Sequence, residues 1–340
     1  MSLFIIAEIG INHNGDINIA KEMILKAKEA GADCVKFQTF KAEEFVSDSK
    51  QTYRYQSQGK YIIESMLEMF KRHEFNQQEW KDIVLFCKQH NIVFSSTAQN
   101  ISDLEFLLSI TDLPFIKVGS DDLTNLEQMR YYASKKIPMI ISAGMAYAYE
   151  IEDAVKTIKD SGNDNITVLH CISSYPTQSE DVNLRKIPVI KDAFNVDVGF
   201  SDHTIGSTAA IGSVCMGAKI IEKHFTLDNN MSGPDHWFSI NPIELKKYID
   251  DIRFIKNALG KAELKPTDKE IEMRKTVQRK IVAKNTIVKG ELITKNNIDY
   301  KRVDNIDNNG IDPKNFLFIE NRTAKKDIQK NETITLEILQ

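Results

Sequence analysis

The chain has 340 residues, of which 42% are hydrophobic and 27% are charged, and its formal net charge is −4. This balance is ordinary for a globular protein, and it argues against general binding of nucleic acid or anionic membranes because neither sign of charge dominates. The first apolar run begins at Phe4, which leaves no room for a secretory signal, so a cytoplasmic location is expected. The four cysteines lie far apart without Cys-x-x-Cys spacing, which predicts reduced thiols rather than a zinc site.

Eight short apolar runs recur along the first three-quarters of the chain, and most end on polar, chemically capable residues. They span residues 4–8, 34–38, 92–97, 115–120, 139–142, 166–170, 196–203 and 218–224. Most are separated by segments of helical length, and amphipathic spacing is clear in residues 19–30, 77–89, 151–161 and 242–259. This alternation predicts an α/β fold in which a parallel sheet closes into a (β/α)8 TIM barrel.

One connection, residues 40–91, is much longer than the others. Its middle, residues 49–61, is rich in Gln, Tyr and Ser. A long insertion on the catalytic face of a barrel is commonly a lid or a substrate-binding loop, so we expect this segment to border the pocket. A plain surface excursion is the alternative.

The repeating pattern ends at Gly260. Residues 261–280 are charged and contain a proline, which predicts a linker with a short helix around residues 268–276. Short β-type segments follow at residues 281–283, 286–288 and 333–339. We therefore expect a barrel domain over residues 1–260 and a small β-rich domain over residues 281–340, which docks on the barrel or on a partner chain because so short a segment forms only a small core.

The carboxyl ends of all strands in such a barrel open on one face, so residues far apart in sequence converge there. The polar side chains at these ends are Glu8, Lys36, Gln38, Thr97, Lys117, Ser120, Ser142, His170, His203, Glu222 and His224. This set is cationic and rich in hydrogen-bonding groups. It suits an anionic, oxygen-rich substrate held beside a divalent metal.

Two histidines, His203 and His224, end the seventh and eighth runs. Neutral imidazole is a good ligand for Mn, Zn or Fe, and two ligands on adjacent strands leave coordination positions free for substrate and water. The pair therefore predicts a catalytic metal site. A lone histidine at a strand end is more often a hydrogen-bonding residue, and for His170 we expect hydrogen bonding inside the barrel mouth.

Two lysines, Lys36 and Lys117, interrupt apolar strands, where a buried ammonium is costly without an anion. A ligand that carries a phosphate and a carboxylate explains both, although each lysine could instead pair with Glu8 or Glu222. Either acid could hold water or move a proton, and the residues alone leave that division open. A lysine at a strand end could also form a Schiff base, as in aldolases, whereas a pure binding module would make no use of the whole set.

Five segments of the chain read, in order, IAEIGINHNG (residues 6–15), VKFQ (35–38), IKVGS (116–120), SDHT (201–204) and IEKHFTLD (221–228). Together they resemble the sialic acid synthase family, and the resemblance spans nearly the whole chain. Residues 281–339 look like the antifreeze-like (SAF) domain of that family, including the tripeptide Tyr300-Lys301-Arg302.

The resemblance implies condensation of phosphoenolpyruvate with an open-chain N-acetylated amino sugar, giving a nine-carbon 2-keto-3-deoxy acid and phosphate. By position, His203 and His224 would hold Mn2+, or Mg2+ or another divalent ion, beside the sugar aldehyde. Phosphoenolpyruvate would be bound by Lys36, Thr97, Lys117, Ser120 and Ser142. The sugar would contact Gln38, Tyr175 and Asp235. The family also implies a domain-swapped homodimer in which Arg302 reaches the partner's substrate.

Two further segments bear on catalysis and on the acceptor. The fourth-strand motif reads Ser120-Asp121-Asp122 where relatives have Ser-Gly-Asp or Ser-Gly-Glu, and Asp122 is expected to keep the catalytic acidic role. Residues 231–236, MSGPDH, resemble synthases for neuraminic and legionaminic acids. We therefore predict an N-acetylneuraminate synthase acting on N-acetylmannosamine. The alternatives are a 2,4-diacetamido-2,4,6-trideoxymannose acceptor, which gives legionaminic acid, and N-acetylmannosamine 6-phosphate. A phosphorylated acceptor would need a basic pocket, for which the insertion offers Lys50, Arg54, Lys60, Lys71 and Arg72.

Overall fold

The computed structural model describes residues 3–48, 50–303 and 309–340. Ser49, at the start of the predicted lid segment, lies outside the described residues. The chain divides into two compact units, Met1–Gly260 and Lys261–Gln340. No helix in the described ranges combines the length and the apolar character that a membrane crossing requires.

The strands of the first unit follow one another as the periodicity predicts, apart from an added pair in the long insertion. They are β1 (Phe4–Gly10), β2 (Cys34–Thr39), β3 (Thr52–Ser57), β4 (Lys60–Ser65), β5 (Val93–Ala98), β6 (Ile116–Val118), β7 (Met139–Ser142), β8 (Ile166–His170), β9 (Asp197–Asp202) and β10 (Ile220–His224). Eight of these close into a parallel barrel in the order β1-β10-β9-β8-β7-β6-β5-β2. The predicted (β/α)8 barrel is confirmed.

Helices of the first unit occupy most of the connections between barrel strands. They are α1 (Ile17–Ala30), α2 (Ala42–Phe45), α3 (Met66–Lys71), α4 (Gln77–Gln89), α5 (Ile101–Ile110), α6 (Leu126–Ser134), α7 (Ala148–Asp160), α8 (Lys186–Phe194), α9 (Thr208–Cys215) and α10 (Pro242–Ala258). The start of α10 is fixed by a capping box between Asn241 and Glu244, with Pro242 in the first turn. Tyr248, on the buried face of this helix, donates its hydroxyl to Asp202 at the end of β9.

The alternation of side chains along each strand places an apolar layer directly beneath a polar one. Ile6, Cys34, Phe115, Ile140 and Leu169 form a buried cluster of their own. Two residues further along four of these strands, on the same face, are Glu8, Lys36, Lys117 and Ser142, because successive side chains of a strand point to opposite faces. The polar groups therefore lie directly above an apolar layer, and the low polarity of that layer strengthens the electrostatic interactions among them.

The long insertion forms an antiparallel hairpin, β3 and β4, followed by α3. The hairpin is tied to the loop after β10, because the Gln58 amide donates to the Asn230 carbonyl at 2.9 Å and the Gly233 amide donates to Ser57 Oγ at 3.1 Å. This fixes one side of the hairpin against the barrel mouth.

Gly15 allows the loop after β1 to approach the end of α3, and replacing it tests that contact. Its φ is +73°, and an added Cβ would lie 2.1 Å from the carbonyl oxygen of Arg72. We expect Gly15→Ala to lower the free energy of unfolding by roughly 2–4 kcal/mol, from left-handed strain plus overlap with backbone. Both tryptophans of the chain lie in the first unit, so urea unfolding followed by tryptophan fluorescence reports on the barrel.

The matched control is Gly59→Ala. Gly59 has nearly the same φ, +74°, but an added Cβ meets nothing within 4 Å. It should cost about 1 kcal/mol, from strain alone. Equal losses for the two variants would show that the Arg72 contact has no energetic weight.

The second unit contains α11 (Asp268–Val277) and the antiparallel pair β11 (Arg279–Ala283) and β12 (Ile298–Arg302). The helix matches the one expected at residues 268–276. Residues 286–288 and 333–339 contribute isolated bridges at Ile287, Thr333 and Leu339. The unit has its own apolar core, formed by Ile281, Ala283, Ile287, Ile293, Ile298, Ile311, Phe316, Ile319, Ala324, Ile328, Ile334 and Leu339.

Candidate active site

A cavity of about 850 Å³ opens at the carboxyl ends of the barrel strands. Most of the predicted site residues line it: Glu8, Lys36, Gln38, Thr97, Lys117, Ser120, Ser142, Tyr175, His203, Glu222, His224 and Asp235. Strand ends, the loops that follow them and the insertion hairpin all contribute to the wall. The structure thus brings together residues separated by up to two-thirds of the chain.

Lys36 lies at the centre of the cavity floor and is 3% exposed. Its Nζ lies 2.6 Å from Glu8 Oε2 and 3.6 Å from Glu222 Oε2, and it donates to Thr97 Oγ1 at 3.0 Å. Burial lowers the pKa of Lys36, but Glu222 and Glu8 outweigh it and the net shift is upward. Lys36 is therefore a fixed positive charge.

Lys117 lies across the floor and is equally buried. Its Nζ donates to Ser142 Oγ at 2.8 Å and to the Val118 carbonyl at 3.1 Å, and lies 3.8 Å from Glu222 Oε1. Burial lowers the pKa of Lys117, and the more distant carboxylate compensates only in part. The two lysines thus differ: Lys36 has a close carboxylate partner, whereas Lys117 has mostly neutral partners.

The two acids of the floor have opposite pKa shifts. Burial raises the pKa of Glu8 to about 7, against the opposing effect of Lys36. Burial also acts to raise the pKa of Glu222, but Lys117 and Lys36 outweigh it and lower the pKa to about 2, helped by the Ser201 hydroxyl, which donates to Glu222 at 2.9 Å. One carboxyl can therefore be protonated near neutral pH while its neighbour stays ionised.

His203 and His224 face one another with ring centroids 5.6 Å apart. His203 Nδ1 donates to the Ile172 carbonyl at 2.7 Å, which leaves Nε2 as an acceptor, and His224 Nδ1 is buried without a hydrogen-bond partner. Burial lowers the pKa of both imidazoles, so both are neutral. Each neutral ring has one unprotonated nitrogen, and two such rings side by side fit a divalent cation, although the Ser201 hydroxyl also lies 3.5 Å from His203 Nε2.

The metal site would have two protein ligands. No group of three or more His, Cys, Asp or Glu side chains with metal-binding geometry occurs in the described part of the chain. Asp235 Oδ2 lies 3.8 Å from His224 Nδ1, and burial raises the pKa of Asp235 to about 6. Tyr175 packs on His203 with ring centroids 4.2 Å apart, and burial raises the pKa of its hydroxyl. Both residues therefore border the histidine pair on the cavity side.

Two predicted residues of the barrel unit, Asp122 and His170, do not line this cavity. Asp122 is absent from the cavity lining, and its neighbour Asp121 lies there instead. In the turn after β6 the Asp121 side chain folds over Gly119, and the Asp122 carbonyl accepts a hydrogen bond from the amide of Asn125. His170 was expected inside the barrel mouth, and that placement was wrong: it faces the opposite side of β8 from Leu169, because successive strand residues alternate. It does have the expected hydrogen-bonding role, since its Nε2 donates to the Val182 carbonyl at 2.6 Å. Arg302 ends β12 in the second unit.

The insertion hairpin supplies cavity residues that the motifs did not identify. Tyr53, Arg54, Tyr55, Gln56 and Tyr61 all line the wall. The alternation of Tyr53 and Tyr55 was the available signal, because residues two apart on a strand share a face. Ser201 also lines the cavity, two residues before His203 on the same face of the chain.

Comparison with known proteins by sequence and by structure identifies one family of synthases as similar to this chain. The model of the NeuB family matches residues 23–264. N,N'-diacetyllegionaminic acid synthase of Campylobacter jejuni is 40% identical over 97% of this chain and 98% of that protein. Human N-acetylneuraminate-9-phosphate synthase is 33% identical over 99% of this chain and 92% of that protein. The crystal structure of N-acetylneuraminic acid synthetase from Leptospira borgpetersenii, a citrate complex, is 33% identical with a TM-score of 0.72, covering 82% of this chain and 93% of that one.

Proposed function

This chain belongs to the NeuB family, and on that premise we propose that it condenses phosphoenolpyruvate with an open-chain N-acetylated amino sugar. C3 of phosphoenolpyruvate attacks the sugar aldehyde, water adds at C2, and cleavage of the C2–O bond expels phosphate. The product is a nine-carbon 2-keto-3-deoxy acid.

The observation that carries the proposal is the pair of buried lysines on the cavity floor. Lys36 and Lys117 are each 3% exposed, and their ammonium groups donate hydrogen bonds to the hydroxyl oxygens of Thr97 and Ser142, respectively. A substrate with one phosphate and one carboxylate offers both buried ammonium groups further anionic hydrogen-bond partners. The polar lining beside them, which includes Ser120, adds further donors.

His203 and His224 would hold the divalent ion, Mn2+ in our proposal. When bound there, the ion supplies Lewis-acid polarisation of the aldehyde. Glu8, with its raised pKa, is the candidate proton donor to the oxygen that develops negative charge. Glu222, which stays ionised, is the candidate acceptor for a proton of the attacking water. The assignment follows from the opposite environments of the two acids.

The charges near the cavity mouth favour an unphosphorylated acceptor. Of the five basic residues available in the insertion, Arg54 lines the cavity, and its guanidinium lies over the Tyr61 ring at 4.4 Å. Lys71 pairs with Glu43 at 2.9 Å and Arg72 pairs with Glu64 at 2.7 Å. The carboxyl groups of Asp121 and Asp235 border the same space and would repel a sugar phosphate. N-acetylmannosamine is therefore the proposed acceptor, with N-acetylneuraminate as the product.

A second acceptor has a specific observation in its favour. Phe45, Met69 and Phe70 form an apolar part of the cavity wall, against which the methyl group of a 6-deoxy sugar can pack. The relative from Campylobacter jejuni also bears the name of a synthase for N,N'-diacetyllegionaminic acid. The 2,4-diacetamido-2,4,6-trideoxymannose acceptor is therefore the alternative.

Phosphate release from phosphoenolpyruvate, measured with Mn2+ and each acceptor in turn, tests the proposal. We expect release with an unphosphorylated sugar and a kcat/KM at least about tenfold lower for N-acetylmannosamine 6-phosphate, which corresponds to about 1.4 kcal/mol of discrimination. A preference for the 6-phosphate would contradict the charge argument, and the better of the two uncharged sugars identifies the product.

An aldolase of the Schiff-base type is the alternative from another reaction class, since burial lowers the pKa of Lys117 as that chemistry requires. Incubation with pyruvate and borohydride separates the two mechanisms. The synthase leaves no covalent adduct, whereas an adduct on Lys36 or Lys117 would overturn the proposal.

A further inference from the structure

A buried ionic cluster lies on the outer face of the strand ends that carry the two histidines. Asp202 ends β9 next to His203, and Lys223 lies in β10 next to His224. Because neighbouring residues of a strand point to opposite faces, both charged side chains point away from the cavity toward α10. Asp202 is 1% exposed and Lys223 is 3% exposed. Tyr248 of α10 covers both side chains and is itself 1% exposed.

Both oxygens of the Asp202 carboxylate accept hydrogen bonds. Oδ1 accepts the backbone amide of Thr204 at 2.8 Å and its hydroxyl at 2.7 Å. Oδ2 accepts the Tyr248 hydroxyl at 2.8 Å and lies 3.3 Å from Lys223 Nζ. The ammonium also donates to the Thr204 carbonyl and lies 5.6 Å from the centre of the Tyr248 ring. The cluster thus joins two strands, the loop after β9 and one helix.

A gain in stability is not a sufficient reason for burying these charged groups. A buried ion pair usually stabilises a protein no more than well-packed apolar residues of the same volume, and its best-supported role is to fix register. Asp202 and Lys223 are directly opposite one another in the β9–β10 ladder. A slip of one residue would turn His203 or His224 from the cavity face to the helix face.

We propose that Asp202, Lys223 and Tyr248 form a positioning unit that sets the orientation of His203 and His224 for a divalent cation. The inference rests on the proposed metal site. The ion pair fixes the two strand ends relative to each other, and Tyr248 fixes the pair against the helix. The histidine that follows each charged residue on its strand thereby keeps its ring on the cavity side.

Tyr248→Phe tests the unit with the smallest change, since it removes one hydroxyl and keeps the ring. The apparent Kd for Mn2+, measured on the full-length protein by the electron paramagnetic resonance signal of free Mn2+, is expected to rise about tenfold. Saturating Mn2+ should restore most of kcat, because misplaced ligands weaken binding without removing a group that contacts substrate. Lys223→Met should weaken Mn2+ binding further, provided that this variant folds. If it does not fold, the Kd of Tyr248→Phe alone tests the positioning unit.

The matched control is Tyr132→Phe. Tyr132 is also fully buried on an outer helix, and its hydroxyl donates to the Ala98 carbonyl at the end of β5 at 3.1 Å. It should lower Tm by a similar amount and leave the Kd for Mn2+ unchanged. An unchanged Kd in Tyr248→Phe, with wild-type protein binding Mn2+, would overturn the positioning unit alone. A wild-type protein that binds no Mn2+ would overturn the metal site and the inference together.

Discussion

Replacing His203 or His224 with alanine is expected to reduce kcat by roughly a thousandfold or more, since the loss of a Lewis acid removes several kcal/mol of transition-state stabilisation. Both rings are neutral and line one cavity, and a neutral imidazole has an unprotonated nitrogen that can bind a cation. The barrel should remain folded, because both rings line the cavity and the strands are paired by their backbone groups; His203→Ala gives up in addition the Nδ1 hydrogen bond to the Ile172 carbonyl. Phosphate release at saturating Mn2+ gives kcat, and Mn2+ binding by the same variants should also be lost.

His90→Ala is the control for this experiment. His90 caps the end of α4, away from the strand ends, and does not line the cavity. Its replacement should leave kcat and Mn2+ binding unchanged. Wild-type turnover by a His203→Ala or His224→Ala protein from which metal has been removed would contradict the proposed metal site.

The sequence predicted the barrel and most of its polar layer because a single rule generates both. Side chains two apart on a strand share a face, so an apolar residue such as Cys34 is followed in the same direction by Lys36 and then Gln38. Applied strictly, the same rule places His170 on the outer face, one residue beyond the inward Leu169, so its predicted place among the residues of the barrel mouth was wrong. Strand-end residues on regular strands were therefore predictable from periodicity.

Residues beyond the strand ends were less predictable, because turns do not follow that rule. β6 ends at Val118, and the turn that follows brings Asp121 rather than Asp122 to the cavity wall. The insertion was expected to border the pocket as a lid or a substrate-binding loop, but its hairpin was not predicted. The two strands depend on pairing between Thr52–Ser57 and Lys60–Ser65, which local composition does not determine. The sequence did not predict the burial of Asp202 and Lys223, because charged residues are usually solvated. Their burial depends on α10, which packs over them.

The second large effect concerns Glu8, whose carboxyl is 2% exposed and lies 2.6 Å from Lys36 Nζ. Burial raises its pKa to about 7, from an ordinary glutamate value near 4.3. A trianionic substrate that engages Lys36 adds negative charge beside this carboxyl and favours its protonated form further. Glu8 is thus poised as a proton donor, while Glu222, with its lowered pKa, cannot fill that role at neutral pH.

Glu8→Gln is expected to lower kcat by roughly 10²–10⁴-fold, the usual contribution of general acid catalysis. The protonated form of Glu8 predominates below its pKa and is lost above it, so the kcat of the wild type should fall as pH rises through about 7 and higher. Glutamine cannot titrate, so the residual activity of the variant should lack this alkaline decline. A decline that persists unchanged in Glu8→Gln would assign it to another group. A wild-type kcat that rises through the same pH range would instead make Glu8 a base and reverse the roles of the two acids.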